Sequence, residues 1–268
     1  MKLKSRVLII AGSDSSGGAG IQADIKTVTA LGGYAMTAIT ALTAQNTEGV
    51  FGIHGVPAPF VAQQMKVVLD DIGADCIKIG MLHRPDIIRA VVDVINANCM
   101  NVPVVVDPVM FAKGGASLLD DDAVTALKEN IVPMATLLTP NIPEAEALAG
   151  MLASHKDQAE TLARHLLTLG ARSVLLKGGH RDGDVVHDLL IRPNGAADIF
   201  STSRINTVNT HGTGCTLASA IAVGLAQGME LHDAVRRGRH YVVEAIRTAP
   251  GFGQGHGPLN HTHPLTNF

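Results

Sequence analysis

Short runs of β-branched and aliphatic residues alternate with helix-forming segments over most of the chain. This alternation constrains the fold strongly, because each apolar run is typical of a strand buried on both faces and each intervening segment of a crossover helix. We predict strands over residues 7–11, 34–43, 76–79, 104–107, 137–139 and 174–177. Such an order indicates an α/β fold, a three-layer α/β/α sandwich around a mostly parallel sheet.

The helices are predicted from apolar spacing and from glycine residues near their ends. They cover residues 20–31, 60–71, 85–98, 121–130, 143–150, 158–169, 216–227 and 231–248. Gly32, Gly73 and Gly170 stand where helix C-caps are expected. Residues 186–191 and 199–206, joined around a Pro-Asn-Gly turn, predict an antiparallel pair at one sheet edge. We expect the Gly- and His-rich segment from residue 250 to be irregular.

The composition favours a single domain over residues 1–268. Hydrophobic residues make up 46% of the chain and charged residues 17%, and no linker-like segment divides the sequence. A net charge of -3 and the absence of Trp argue against a nucleic-acid partner. No apolar run is long enough for a bilayer, and three cysteines do not make a fully paired disulfide framework. We therefore expect a cytoplasmic protein without a membrane partner, and a homodimer as the commonest soluble assembly.

The segment Thr210-His211-Gly212-Thr213-Gly214-Cys215 carries the strongest chemical signal, because it leads directly into a helix. Backbone N–H groups at a helix N-terminus bind phosphate well, so we expect Gly212, Thr213 and Gly214 to form an anion hole. Cys215 falls in the first turn, where the helix dipole favours the thiolate. The thiol either accepts a proton from an attacking hydroxyl or simply packs. Gly-x-Gly before a helix also occurs as a plain tight turn.

Polar residues follow several of the predicted strands, at the edge where open α/β sheets bind ligands. Lys177 ends a buried strand and precedes two glycines, which suits either a phosphate ligand or a solvated lysine. Asn141 and Glu144 lie one turn apart at a helix start. They are candidates for orienting Mg²⁺ through water, or for ordinary helix capping. Asp107, before a proline, is either a turn residue or a second polar group beside the metal.

The glycine-rich loop after the first strand has neither dinucleotide-fingerprint nor Walker A spacing. We interpret it as one wall of a pocket for a flat substrate. Gln45 suits an amino-bearing heteroaromatic ring, and Met81 suits packing on the ring face or filling the core. His256, His261 and His263 lack the spacing of metal ligands, so we interpret them as solvated or hydrogen-bonded residues.

Taken together and in order, these motifs resemble the ribokinase-like superfamily, and within it the hydroxymethylpyrimidine and phosphomethylpyrimidine kinases of thiamine synthesis. The resemblance covers essentially the whole chain and rests on residues 11–24, 39–46, 78–81, 107–110, 139–144, 177–180, 210–215 and 255–258. It implies transfer of a γ-phosphoryl group from magnesium-ATP to 4-amino-5-hydroxymethyl-2-methylpyrimidine. The resulting monophosphate is then phosphorylated to the diphosphate.

The resemblance also implies roles for individual positions of this sequence. The pyrimidine pocket would be lined by Gly12, Ala19, Asp24, Gln45, Met81 and Val109. The ATP phosphates and Mg²⁺ would be handled by Lys177, Asn141, Thr210, Lys113, Glu144 and, through water, Asp107. Cys215 stands where sugar kinases of the superfamily have a catalytic aspartate. Residues 111–115 lack the hydroxyl that the family commonly shows there, so we expect a more flexible lid that brings Lys113 to the transferring phosphate.

Three other functions compete with this interpretation. A pyridoxine or pyridoxal kinase acts on a similar flat ring, and Gln45 discriminates because its amide suits an aminopyrimidine edge. A non-catalytic binding module is disfavoured because the phosphate lysine, the metal carboxylate and the anion hole are all present. An oxidoreductase of the Rossmann type is disfavoured by the glycine spacing.

Overall fold

A computed structural model describes residues 5–111, 115, 118–152, 158–179 and 183–265. The strands are β1 (Arg6–Asp14), β2 (Tyr34–Gln45), β3 (Val50–Gly55), β4 (Cys76–Ile79), β5 (Val104–Val106), β6 (Leu137–Leu138), β7 (Val174–Leu176), β8 (Val185–Ile191) and β9 (Ala197–Ser203). The helices are α1 (Gly20–Ala30), α2 (Ala58–Asp71), α3 (Pro85–Asn98), α4 (Asp121–Ala126), α5 (Ile142–Ala149), α6 (Gln158–Thr168), α7 (Thr213–Ala226) and α8 (Leu231–Arg247).

The strands form one nine-stranded sheet in the order β3-β2-β1-β4-β5-β6-β7-β8-β9. Strands β2, β1, β4, β5, β6 and β7 run parallel, whereas β3, β8 and β9 pair antiparallel at the two edges. The chain passes from β1 to β2 on one side and later returns to β4 on the other. This reversal makes a topological switch point at the carboxyl end of β1, where ligands of open α/β sheets bind.

Alternate residues of β1 build two hydrophobic cores, one on each face of the sheet. Leu8 and Ile10 are fully buried in the core that α2 and α3 cover. Val7 and Ile9 are fully buried on the other face, against α1, α7 and α8. Full burial of each such side chain contributes about 1.5–3 kcal/mol to stability. The predicted parallel sheet with helices on both faces is confirmed.

The antiparallel edge made by β8 and β9 was also predicted from the sequence, but β3 was not. Its sequence holds Gly52 and Gly55, and its Phe51 side chain is 73% exposed, so neither periodicity nor burial marks it as a strand. It pairs antiparallel with the second half of β2. The sheet therefore has an antiparallel strand at both edges.

The boundaries nearest the ligand-binding edge differ from the predicted ones. Strand β1 continues to Asp14 through a register shift between Ala11 and Ser13, and β2 continues to Gln45. Helix α7 begins at Thr213 instead of residue 216, because Gly212 takes a left-handed conformation with φ 81° as its N-cap. Cys215 is consequently inside the first turn of a longer helix.

Other predicted boundaries hold closely. Gly32, Gly73 and Gly170 follow helices and have φ values of 80°, 76° and 108°, as expected for glycine C-caps. Helix α4 is shorter than predicted but continues as a π-helical segment, Leu127–Ile131. The described part of the C-terminal segment is irregular. Among the described helices, none combines the length and the apolar character that a bilayer crossing requires.

Candidate active site

A cavity of about 740 Å³ opens at the carboxyl ends of the parallel strands. Residues at or just after β1, β2, β4, β5, β6 and β7 all line it, together with the first turn of α7. From the sequence analysis, the lining includes Gly12, Ala19, Gln45, Met81, Asp107, Val109, Asn141, Glu144, Lys177, Thr210, Gly212, Thr213, Gly214 and Cys215. The predicted convergence of six strand ends on one site is confirmed.

The start of α7 forms one wall of the cavity. A β-carbon on Gly212 would overlap the carbonyl oxygen of Gly18, so only glycine fits this N-cap. The hydroxyl of Thr213 donates to the carbonyl oxygen of Thr210 (2.6 Å) and fixes the turn. The first-turn residues of α7 therefore face the cavity with backbone geometry suited to an anion.

Lys177 lies in a buried cluster of charges beside the start of α7. Its Nζ is 2.7 Å from Asp107 Oδ1 and 3.8 Å from Glu144 Oε2. Burial raises the pKa of Glu144 to about 7, with Lys177 opposing and Asp107 reinforcing the rise. A β-carbon on Gly214 would lie 3.2 Å from both Lys177 Nζ and Asp107 Oδ2, so this cluster abuts the start of α7.

Asn141 and Glu144 form a reciprocal capping box at the start of α5. Asn141 Oδ1 accepts from the Glu144 N–H (2.9 Å), and Glu144 Oε2 accepts from the Asn141 N–H (2.8 Å). The capping interpretation of this pair is thus confirmed, and the same Glu144 carboxylate reaches the cavity.

Asp107 and Glu144 are the two buried carboxylates of the cavity that are suited to binding a metal ion. The described residues contain no group of three or more His, Cys, Asp or Glu side chains that could hold an ion. Mg²⁺ commonly binds through one or two carboxylates together with water and substrate phosphates. Such a cation would screen the like charges of Asp107 and Glu144, so the donor set fits Mg²⁺.

The predicted place of Asp24 in the pyrimidine pocket is wrong. Its side chain is fully buried behind the cavity and does not line it. Asp24 Oδ2 is 2.8 Å from Lys78 Nζ, and Asp24 Oδ1 accepts from the Ser219 hydroxyl (2.7 Å). The motif located this aspartate correctly on α1 but did not reveal which face of the helix carries it. Lys78 lines the cavity in its place, and a lysine within a fully buried strand was the signal for it.

Cys215 lines the cavity with a half-buried side chain. Its pKa is raised to about 12 by burial, with Lys78 opposing the rise and Asp24 and Asp107 reinforcing it. Burial and the two carboxylates therefore disfavour the thiolate in the resting site, against the helix dipole that favours it. The backbone N–H of Gly20 also hydrogen-bonds the sulfur.

Asp14 and His211 connect the loop after β1 to the start of α7, and the sequence analysis overlooked both. Asp14 accepts from the backbone N–H groups of Ser16 (2.8 Å), Gly18 (3.1 Å) and Ala19 (2.8 Å). His211 Nε2 lies 2.8 Å from Asp14 Oδ2. Although burial opposes ionisation, contacts with His211, Ser16 and Ala19 lower the pKa of Asp14 to about 2.

Five of the six residues predicted for the heterocycle pocket are brought together. Met81 packs so closely on Gly12 that a β-carbon there would lie 2.7 Å from the methionine methyl. Gln45 ends β2, and its Oε1 accepts from the Thr43 hydroxyl (3.1 Å). Ala19 and Val109 complete this set. Lys113 falls outside the described residues, so its approach to a phosphate stays a prediction.

A second missed group lines the far end of the cavity, where β8 and α8 meet. Asp188 accepts from the Gly178 N–H (2.8 Å) and from Arg239 Nε (2.7 Å). Val242 and Ile246 of α8 add an apolar surface. The Asp188–Arg239 pair thereby fixes the backbone directly after Lys177.

The C-terminal histidines contact protein groups. His261 Nδ1 lies 3.2 Å from the Tyr241 hydroxyl and 3.3 Å from Thr27 Oγ1. Burial lowers the pKa of His261 to about 4. His256 Nδ1 is 3.3 Å from the Val208 carbonyl oxygen. The interpretation of these two histidines as hydrogen-bonded is confirmed.

Comparison with known proteins agrees with the geometry. The sequence model for phosphomethylpyrimidine kinase matches residues 14–260. The chain belongs to this family. A hydroxymethylpyrimidine/phosphomethylpyrimidine kinase of Bacillus subtilis is 47% identical over 257 residues, which cover 96% of this chain and 94% of that protein. The predicted family is confirmed, and with it the prediction of a kinase.

Two further relatives differ in length and in name. The thiamine biosynthesis bifunctional protein ThiED of Geobacter sulfurreducens is 55% identical over 260 residues, and the match covers 96% of this chain but 52% of that protein. The chain thus spans about half of that relative. The ADP complex of Bacillus subtilis pyridoxal kinase superposes with a TM-score of 0.89 at 33% identity, covering 98% of this chain and 99% of that one. The ribokinase-like α/β/α fold is confirmed.

Gly212→Ala should abolish most kinase activity, because the new β-carbon would displace the Gly18 loop as well as strain a positive φ. We expect kcat to fall on the order of 100-fold, as when oxyanion-hole groups are removed. Gly32→Ala is the matched control, since Gly32 also has φ 80° but no neighbouring atom within 4 Å of the position that a β-carbon would take. Equal activity of the two variants in an ATP-consumption assay would contradict the anion-hole assignment.

Asp14→Asn should destabilise the protein in a pH-dependent way. A pKa of about 2 in the folded state lies below the unfolded value, so ionised Asp14 stabilises the fold above about pH 4 and this contribution is lost as pH falls through 2. We expect a loss of about 2–3 kcal/mol in the free energy of unfolding at pH 7. The difference between variant and wild type should shrink between pH 5 and pH 3 in urea titrations.

Asp93→Asn, on the exposed face of α3, serves as the control for that comparison. A difference between Asp14→Asn and wild type that stays constant with pH would show that lost packing, not lost charge, is responsible.

Proposed function

We propose that this protein uses ATP to phosphorylate 4-amino-5-hydroxymethyl-2-methylpyrimidine to its monophosphate and then to the diphosphate used in thiamine biosynthesis. One observation carries the proposal: the residues predicted to hold the heterocycle and the start of α7 line the same cavity. Membership of the phosphomethylpyrimidine kinase family supports the choice of substrate.

The substrate ring would bind between the loop after β1 and the end of β4. Gly12 and Ala19 let the ring approach the backbone, and Met81 and Val109 supply apolar contact. Gln45 has both a donor and an acceptor to offer the amino-bearing edge of the pyrimidine. The hydroxymethyl group then lies toward Cys215 and α7.

The ATP phosphates would bind beside Lys177, Asn141 and Thr210, with Lys113 approaching from its loop. Lys177 already holds its ammonium in the cavity through Asp107 (2.7 Å). Glu144 and Asp107 would hold Mg²⁺ through water. Mg²⁺ held there would neutralise negative charge on the ATP phosphates.

Cys215 and the backbone of Gly212, Thr213 and Gly214 would serve the reacting atoms. The backbone N–H groups stabilise the negative charge that grows during transfer. The first acceptor is an alcohol whose proton must leave, and Cys215 would take that proton. The second acceptor is an already ionised phosphate, so that step needs no base.

A pyridoxal kinase is the second candidate, favoured by the likeness to the Bacillus subtilis pyridoxal kinase complex with ADP. Gln45 argues against it, because a pyridine with a phenolic hydroxyl presents a different edge. A non-catalytic module is less consistent with a cavity that retains Lys177, Glu144 and the anion hole.

We also infer a single domain, a cytoplasmic location, a homodimer and no nucleic-acid partner. The three cysteines are free, which fits a reducing compartment. Leu42 of β2 and Phe51 of the edge strand β3 are exposed and offer apolar area for a second copy of the chain. The net charge of -3 disfavours nucleic acid.

Purified protein with ATP and Mg²⁺ should convert the hydroxymethylpyrimidine to monophosphate and diphosphate, resolved by chromatography, and should convert pyridoxal more slowly. Gln45→Met, which keeps the length of the side chain but removes its amide, should lower kcat/KM for the pyrimidine about 10- to 200-fold. Turnover of pyridoxal alone would overturn the pyrimidine assignment in favour of the vitamin B6 kinase.

Cys215→Ala should slow the two phosphorylations unequally under single-turnover conditions. We expect the alcohol step to slow on the order of 100-fold or more, the usual effect of losing a general base. The phosphate step should change little because its acceptor is already ionised. Equal slowing of both steps would exclude the base role for Cys215.

A further inference from the structure

A fully buried group of charged and polar side chains lies beside Cys215. It consists of Lys78 of β4, Asp24 of α1 and Ser219 of α7, each with no exposed surface. Lys78 Nζ is 2.8 Å from Asp24 Oδ2, and the Ser219 hydroxyl donates to Asp24 Oδ1 (2.7 Å). Buried ion pairs contribute little net stability, so their presence beside a reactive group points to another role.

This group shares a helix with the thiol through Ser219 and a cavity with it through Lys78. Ser219 lies one turn after Cys215 on α7, so both side chains share a face of that helix. Lys78 lines the cavity and Asp24 does not, which places the ammonium on the cavity side of the pair. A β-carbon on Gly80 would lie 2.9 Å from Lys78 Nζ, so the glycine leaves room for the ammonium.

Four charged groups on separate elements act on the Cys215 sulfur. They are Lys78 of β4, Asp24 of α1, Asp107 after β5 and Lys177 after β7. Lys177 and Lys78 each pair with a carboxylate, Asp107 at 2.7 Å and Asp24 at 2.8 Å. Lys78 exerts the largest charge effect on the thiol, and this effect lowers the pKa of Cys215. Although burial opposes its protonation, Asp24 raises the pKa of Lys78, so the ammonium stays charged.

We propose that Lys78 is a positioning residue of the active site, whose ammonium, held by Asp24, stabilises negative charge on the Cys215 sulfur. Its effect on turnover rests on the proposed function. There the thiolate takes the alcohol proton as the alcohol oxygen bonds to the γ-phosphorus. The bond from phosphorus to the bridging oxygen breaks, and its electron pair leaves with ADP.

The test measures the charge on the sulfur without any substrate. Iodoacetamide alkylation of the free protein is followed against pH in wild type, K78M, D24N and S219A, with C215A as the background, since Cys76 and Cys99 are buried. K78M should slow alkylation about tenfold at pH 8, equivalent to a one-unit rise in the thiol pKa. D24N should also slow it, because the buried ammonium loses the carboxylate that keeps it charged. S219A, which removes a hydrogen bond but no charge, should stay within about twofold of wild type.

Alkylation of K78M at the wild-type rate, or equal slowing in K78M and S219A, would overturn the proposal. Should K78M fail to fold because Asp24 is left unpaired, the K78M/D24N double variant replaces it and should react more slowly than wild type, because Lys78 exerts the larger of the two opposing charge effects on the thiol. A wild-type rate in the double variant would also overturn the proposal.

Kinetics of the two phosphorylations separate this proposal from the proposed function. In K78M the alcohol step should slow about tenfold while the phosphate step is unchanged, because only the first depends on the thiolate. Slowed alkylation of K78M in a protein that does not phosphorylate the pyrimidine would support the role of Lys78 and contradict the substrate assignment.

Discussion

Backbone contact between Gly212 and the Gly18 loop joins the anion hole to the heterocycle pocket. No β-carbon fits at Gly212, and the Asp14–His211 pair closes the same contact from the side. The backbone N–H of His211 also donates to the Gly257 carbonyl oxygen (3.1 Å), which ties the C-terminal segment to this contact. One connected set of loops therefore positions both the acceptor group and the transferring phosphate. The same contacts set the distance between the two groups.

The cost of this arrangement is a concentration of buried charge at the carboxyl ends of the central strands. Asp24, Asp107 and Glu144 outnumber the two lysines that they contact, Lys78 and Lys177. Burial raises the pKa of Glu144 to about 7, with Lys177 opposing the rise and Asp107 reinforcing it. A site with this imbalance gains stability when a cation binds, which is how a kinase couples metal and nucleotide binding to its own electrostatics.

Much of this architecture follows from local sequence pattern. Buried parallel strands are continuous apolar runs, so the central strands and the convergence of their ends were predictable. Strand β3 was not, because an exposed edge strand containing Gly52 and Gly55 has no such pattern. The direction in which Asp24 points depends on how α1 packs against α7. A sequence motif does not contain this packing information. Helix α7 starts at Thr213 because Gly212 adopts a positive φ. The close contact between Gly212 and Gly18 favours that conformation, and a contact between distant residues is not visible in the local sequence pattern.

The same electrostatics rationalise a thiol at position 215. An aspartate there would add a further carboxylate to a site that already holds Asp24 and Asp107 close to the sulfur. On the proposed function, the second acceptor carries a phosphate into the same anion hole, and a fixed negative charge beside it would repel that substrate. A thiol whose pKa lies near 12 is neutral between turnovers, so it does not oppose the charged acceptor. The thiol has to become a thiolate only in the step whose acceptor is an alcohol. In that step the nearby Lys78 ammonium would stabilise the negative charge on the sulfur.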